Sequence, residues 1–318
     1  MKNIVVLFLM ALLAVSCKQV PEKTPADYVN PIIGATTFDE FKGSFHGLGK
    51  TFPGVCTPFG LVQLSPDTKT GGDNGSGYSW HHKTIEGFSF THMSGIGWYG
   101  DLGNLLVMPT TGELKTFKGT EEDPDSGYRS RYSHEREDAK IHKYTVMLDD
   151  YQIKTELAAA PRSGMIRFTY PKSDVSRIQI DLSRRIGGTS TEQYVEVVDE
   201  HTIKGWMKCT PENGGWGDGD GNANYTVYFY CCFDRPLKNY GVWSVDIPEG
   251  VARKNASNDD PAYYEYVKNA QVTPMQKNAQ GEHLGFYTEF PTEEGDQALL
   301  KVPIRTYKVT LPIGILMR

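Results

Sequence analysis

The residues best suited to chemistry lie in glycine-rich stretches. Gly97-Trp98-Tyr99-Gly100-Asp101 sets two large aromatics between glycines and follows them with a carboxylate. Aromatic faces stack on the apolar faces of pyranose rings, and carboxylates bond sugar hydroxyls, so a sharply turned loop of this type suits sugar contact. Trp98 is the candidate platform in a substrate cleft, with Asp101 beside it. The competing reading is that Trp98 plugs the edge of a sheet, as buried loop tryptophans do. Gly214-Gly215-Trp216-Gly217-Asp218-Gly219-Asp220-Gly221-Asn222 is a second such stretch, and Trp216 is its candidate contact. Asp218, Asp220 and Asn222 have the alternate spacing of a calcium loop. However, Ala223 stands where the loop needs glycine, and Phe229 stands where it needs a bidentate Glu. No residue is therefore assigned as a metal ligand. His92, in Phe90-Thr91-His92-Met93-Ser94, reads either as a hydrogen-bonded structural histidine or as a further substrate contact. His81 and His82 follow Trp80 directly, and neighbours on one strand face opposite ways, so they do not share a metal. Asp67, Glu86 and Asp101 are scattered acids. Most acids of a sandwich are solvated, so no catalytic pair is assigned.

The elements that must position these residues read as β throughout. Tyr144, Val146 and Leu148 alternate with polar residues, Asp149-Asp150 makes a turn, and Ile153, Thr155 and Leu157 alternate again, which predicts a hairpin. Tyr194–Val198 and Thr202–Cys209 flank Asp199-Glu200-His201 as another. Ile178, Ile180 and Leu182 alternate with Arg177, Gln179 and Asp181. Tyr225, Val227, Phe229, Cys231 and Phe233 share one face of a long strand whose other face is also bulky, which places it inside a sandwich. Asp259–Ala270 is the best helical candidate and a weak one. Turn signals at Gly71–Gly75, Asp123-Pro124-Asp125, Gly187-Gly188 and Asn213–Gly215 punctuate the strands. The fold expected is all-β, a large antiparallel β-sandwich with glycine-rich loops.

The first residues are not fold. Ile4–Val15 is an uncharged apolar run behind Lys2, too short to span a bilayer and of signal-peptide length. It ends in Ala14-Val15-Ser16-Cys17, which resembles a bacterial lipobox. That implies cleavage before Cys17, a lipid on Cys17, and export to the periplasmic or cell-surface side of a bacterial membrane. Lys18–Ala26 is then a polar tether. The net charge of -6 offers no basic footprint for nucleic acid. Cys56, Cys209, Cys231 and Cys232 match no zinc or C-x-x-C spacing and read as packing residues, with a Cys209–Cys231 bridge left open.

Residues 27–112 carry an ordered series of motifs. They are Asp27-Tyr28-Val29-Asn30-Pro31-Ile32-Ile33-Gly34, Thr51-Phe52-Pro53-Gly54, and Pro58-Phe59-Gly60 running on to Ser65-Pro66-Asp67-Thr68. Gly77-Tyr78-Ser79-Trp80, Ile85–Gly95, Asp101-Leu102-Gly103-Asn104 and Leu105–Gly112 follow. The series resembles the N-terminal domain of glycoside hydrolase family 92, and Tyr151–Tyr170 and Phe229–Pro236 extend it. The resemblance implies a β-sandwich half of an exo-acting α-mannosidase that inverts configuration and needs Ca2+. A C-terminal helical domain would carry the catalytic carboxylates and most calcium ligands, and the sandwich would contribute loops to the interface. The substrate would be a mannose-containing glycan. Past Val302 the residues do not resemble the family's continuation into that helical domain. The reading divides the chain into a signal peptide (1–16), a lipidated tether (17–26), the sandwich domain (27–302) and an aberrant tail (303–318), with the catalytic domain missing and the product inactive alone. A frameshift, a truncated gene or a misassembled sequence each gives such a tail. Two other functions compete: a non-catalytic carbohydrate-binding lipoprotein, and a mutarotase-like epimerase, the latter by fold analogy alone.

Overall fold

The computed structural model describes residues 22–35, 50–68, 76–94, 102–186, 188–210, 224–251 and 261–305. One sheet is built from β1 (Val55–Cys56), β2 (Gln63–Asp67), β4 (Gly87–Ser89), β5 (Leu106–Thr111), β11 (Ser173–Asp181), β20 (Leu284–Thr292), β17 (Asn239–Ser244) and β18 (Gln271–Pro274), in that spatial order. The other holds β19 (Asn278–Gly281), β14 (Glu192–Asp199), β15 (Thr202–Cys209), β16 (Tyr225–Phe233), β21 (Gln297–Arg305), β10 (Ser163–Thr169), β9 (Ile153–Ala160), β8 (Lys143–Leu148) and β7 (Glu137–Lys140). Two short ribbons, β3 (Thr84–Ile85) with β6 (Ser130–Arg131) and β12 (Arg184–Arg185) with β13 (Gly188–Thr189), lie outside both sheets. Among the described residues, α-helix α1 (Pro261–Val267) falls within the weak helical candidate. Among the described residues no helix is long and apolar enough to cross a membrane.

The period-two pattern sets which side chains meet. Tyr144, Val146 and Leu148 face Leu157, Thr155 and Ile153 across the β8–β9 hairpin, as its alternation predicts. The β14–β15 hairpin forms likewise, with a bulge before Asp199. On β16, Val227, Phe229, Cys231 and Phe233 are buried while Thr226, Tyr228 and Tyr230 are half-exposed. The strand is thus interior to its sheet but covered fully on one face only. A one-residue slip would turn the buried set outward. At about 1.5–3 kcal/mol per large apolar side chain, that loss is comparable with the whole stability of a domain.

The eight-stranded sheet differs because it is buried on both faces. Ile178 and Ile180 point into the inter-sheet core, while Arg177, Gln179 and Asp181 on the other face are only 1–3% exposed. Segments between β5 and β7, the β12–β13 ribbon and α1 cover that face. Phe117, Tyr263 and Val267 form a small second core there.

The last strand runs through Arg305: Pro303 pairs with Ser163, and Ile304, fully buried, pairs with Phe229. The Cys209–Cys231 bridge is excluded. Cys209 sits opposite Tyr225 on β16, and Cys231 lies six residues further along that strand, about 20 Å away. Both are buried cysteines outside any disulfide, and Cys209 Sγ accepts from Asn104 Nδ2 at 3.4 Å.

Gly285 shows how tightly the covered sheet packs. A Cβ there would lie 1.8 Å from Cζ2 of Trp243, a fully buried ring on the neighbouring strand. Gly285→Ala is expected to cost roughly 1–3 kcal/mol by overpacking, read as a lower urea midpoint at unchanged slope. A wild-type midpoint would mean the ring moves aside freely.

Candidate functional site

Alternation along β2 points Leu64 into the core and Asp67 to the opposite, covered face. There Asp67 meets His92. His92 Nε2 lies 2.8 Å from Asp67 Oδ1 and 3.3 Å from Ser89 Oγ, and Nδ1 donates to the Gln63 carbonyl at 3.0 Å. Neither residue is exposed. Because Nδ1 faces a carbonyl, it carries a proton, and Nε2 shares another with Asp67. Burial pushes the Asp67 carboxyl above its usual value, with the His92 partner pulling the other way and nearby Glu86 adding to the rise.

Glycines let the chain close around this pair. A Cβ on Gly77, whose φ is +76°, would lie 2.4 Å from Asp67 Oδ1 and 3.0 Å from His92 Nε2. Gly103, at φ +64°, allows Ile186 to pack where its Cβ would stand, 2.3 Å away. Leu102 and Leu105 also have positive φ. Such backbone costs of order 1–3 kcal/mol per residue and persists only when neighbours over-determine it. They do: Leu102 N–H donates to Tyr225 Oη, Gly103 N–H to the Thr91 carbonyl, and Asn104 N–H to Thr91 Oγ1, each within 3.0 Å.

This cluster is where the ends of several segments converge. Thr68 N–H donates to the Gly77 carbonyl, closing the ends of 69–75. Lys50 N–H donates to the Gly34 carbonyl, closing the ends of 36–49, and Trp80 N–H reaches Ala35. Arg185 Nη2 donates to the Thr210 carbonyl, at the start of 211–223, and Tyr225 follows its end. The Leu102–Tyr225 bond therefore joins the flank of the segment holding Trp98 and Asp101 to the flank of the segment holding Trp216. Those three side chains, and Cys17, lie outside the described residues.

Trp80 itself stacks on His134, with ring centroids 3.5 Å apart and planes 5° from parallel. His134 Nε2 bonds the Trp80 carbonyl, and Nδ1 bonds Glu137 at 2.6 Å. Tyr78 and Tyr144 also donate to Glu137. Burial, with the Glu137 charge behind it, pushes both phenols far up, so they stay donors. His82 bonds Thr68 Oγ1. Nothing in the spacing signals Asp67–His92 or Trp80–His134, whose members stand far apart in sequence.

Among the described acids of the covered face, Asp67 engages through Oδ1 alone and its Oδ2 is buried without a hydrogen bond. Glu86 is fully buried between Lys118, Arg129 and Arg184. Asp181 accepts from Tyr128 and Ser183. Calcium takes 6–8 oxygen ligands. Among the described residues no three His, Cys, Asp or Glu side chains come together to hold a metal. The arrangement holds loop ends in place.

The family model described as the glycosyl hydrolase family 92 N-terminal domain matches residues 28–304. A family GH92 α-mannosidase from Bacteroides thetaiotaomicron is 33% identical, with a TM-score of 0.73 over 94% of this chain and 37% of its own. Its structure in complex with mannoimidazole gives 35% identity and a TM-score of 0.71 over 89% of this chain and 32% of its own. A family GH92 inverting mannosidase from Bacteroides thetaiotaomicron VPI-5482, 20% identical, agrees in fold with a TM-score of 0.64 over 90% of this chain and 32% of its own. The chain thus spans about a third of the length of these relatives. No curated protein matches it.

The Asp67 pair gives a test. A folded pKa above the unfolded one means that the stability Asp67 contributes is complete below its unfolded pKa and is lost as pH rises through the folded pKa. Asp67→Asn cannot titrate. The wild-type urea midpoint is expected to fall relative to that of Asp67→Asn as pH rises from about 4. Parallel profiles would show that Asp67 titrates as it does in the unfolded chain.

Proposed function

The chain belongs to glycosyl hydrolase family 92, whose N-terminal domain it carries, and on that premise we propose that it forms the cleft-lining half of an exo-acting α-mannosidase. The reaction is hydrolysis of mannose-containing glycans with inversion, dependent on calcium in the complete enzyme. An inverting hydrolysis needs two carboxylates about 6.5–9.5 Å apart with room for a water. In this reading a helical catalytic domain supplies that pair and the calcium ligands, and the sandwich alone does not turn over substrate. Its own contribution is positioning: Trp98 as a ring platform, Asp101 and Trp216 beside it, and His92 bracing the loops from beneath.

The observation that carries this reading is the convergence of loop ends on the Asp67–His92 cluster, with the Leu102–Tyr225 bond tying together the two segments that hold the aromatic candidates. Glycine and aromatic residues concentrated in such segments suit a sugar site. The apolar run before Cys17 supports export and a lipid on that cysteine.

A chimera tests the enzyme reading. Residues 22–305 replace the corresponding domain of the α-mannosidase that is 33% identical. The chimera is expected to release mannose from an α-mannoside, and Trp98→Ala within it to lower kcat/KM roughly ten- to hundredfold, which is ~1.4 to ~2.8 kcal/mol of transition-state binding. A folded chimera without turnover, whose sandwich half still binds mannosides, would favour the carbohydrate-binding lipoprotein instead. The anchor has its own test. Metabolic labelling with palmitate should mark the full-length precursor's product and spare Cys17→Ser; equal labelling of both removes Cys17 as the lipid site.

A further inference from the structure

The opposite end of the eight-stranded sheet has a groove of about 390 Å³ that the reading above does not use. A β-bulge makes it. Ser173 pairs with Thr292 and Ser176 with Phe290, so Asp174 and Val175 together oppose the single residue Pro291. Bulges re-aim side chains and open the ladder locally, and they recur beside functional sites. Asp174 on the bulge, Lys238 and Asn239 at the start of β17, and Glu289, Phe290 and Pro291 on β20 all line the opening.

The lining has a definite chemistry. Phe290 is fixed on two sides, by the Tyr170 edge at 5.5 Å and by the Arg235 guanidinium 4.9 Å from its centroid. That ring faces the inter-sheet core, and Pro291, two residues from Glu289 and on its face of β20, gives the groove an apolar floor. Above it, Asn239 Nδ2 donates to Glu289 Oε2 at 2.9 Å, so an amide and a carboxylate stand side by side. Glu289 cannot swing away, because Arg177 Nε and Nη2 hold its other oxygen at 2.9 and 2.6 Å. A hydroxyl both donates and accepts, and a carboxylate next to an amide matches two adjacent hydroxyls. Two acids (Asp174, Glu289) and two bases (Arg235, Lys238) line the groove, so it has no net charge to attract an ion. An apolar floor, an adjoining acceptor–amide pair and balanced charge together describe a receptor for a neutral pyranose. The volume falls within the range of small-ligand sites, roughly 300–1,000 Å³.

We propose that this groove is a second carbohydrate-binding site, one that takes a neutral hexopyranose residue of a glycan. It is separate from the loop cluster. Asp174 and Asp181 lie at opposite ends of β11, about 23 Å apart at strand rise. The site requires no catalysis and does not depend on the mannosidase reading.

The test uses the full chain and calorimetric titration, backed by saturation-transfer NMR for weak binders. The probes are methyl α-mannoside, methyl β-glucoside, methyl β-galactoside and glucuronate. At least one neutral glycoside is expected to bind. The double substitution Lys238→Ala/Asn239→Ala, and separately Asp174→Ala, should weaken it tenfold or more at unchanged Tm. Trp98→Ala/Trp216→Ala should leave this binding intact. These positions are exposed or rim residues, and Asp174→Ala serves if the double variant loses stability. Binding that disappears only with Trp98→Ala/Trp216→Ala overturns the proposal. So does a preference for glucuronate, or no binding by any probe. An inactive chimera in the mannosidase test would leave every one of these outcomes unchanged.

Discussion

Charge compensation beneath a covered sheet is the constraint on which this domain depends. The eight-stranded sheet hides both faces, and its outer face is polar: Arg177, Gln179 and Asp181 have almost no contact with solvent. An unpaired buried charge costs several kcal/mol, so the cover can close only if each charge finds its partner. Glu86 takes Lys118, Arg129 and Arg184. Arg177 takes Glu289, Thr110 and the carbonyls of Gly112 and Glu113. Asp181 takes Tyr128 and Ser183. The partners come from segments far apart in the chain. Loss of one would leave the others uncompensated, which makes the network a check on register as well as a source of cohesion.

The same closure holds the loop cluster. Positive φ at Leu102, Gly103 and Leu105 is unfavourable for the leucines, and it survives because the covering segments saturate the surrounding amides. Gly77 packs directly on Asp67 and His92, so the pair acts as a strut between β2 and the segment that leads to Trp80. Trp80 is in turn pinned by stacking on His134 and by the Glu137 carboxylate behind it. The loop ends around this pair are thus rooted in buried polar contacts instead of in the apolar core.

What could be read from sequence divides along physical lines. The hairpins at 143–157 and 194–209 were legible because alternation and turn residues are local signals. The phase of Ile178, Ile180 and Leu182 was legible for the same reason. That the opposite phase is buried was not, since alternation distinguishes the two faces of a strand and does not say what covers the second. Pro303 cannot donate to a ladder, and it pairs with Ser163 near the end of the last strand, where neighbouring Ile304 has a core position to fill. Helix α1 was faint because its tyrosines serve tertiary contacts: Tyr263 bonds His283, and Tyr264 packs edge-on to Phe117. At the site, the motif around His92 was visible but its partner was not, because Asp67 and His92 meet only through sheet pairing. Trp98, Asp101 and Trp216 lie outside the described residues, so only their flanks speak to how they are grouped.

Strand β11 connects the two ends of the molecule. Its final residue, Asp181, belongs to the buried network beside the loop cluster, and its first residues form the bulge that opens the groove. Between them stands Arg177, nearly without solvent exposure, holding a carboxylate, Glu289, that is still 19% exposed. One oxygen of that carboxylate satisfies the buried guanidinium, and the other is turned to Asn239 at the groove. The charge pairing that allows the cover to close therefore also orients a group that faces a ligand. Such preorganisation lowers the ordering cost of binding, because the side chain is immobilised by folding before any sugar arrives.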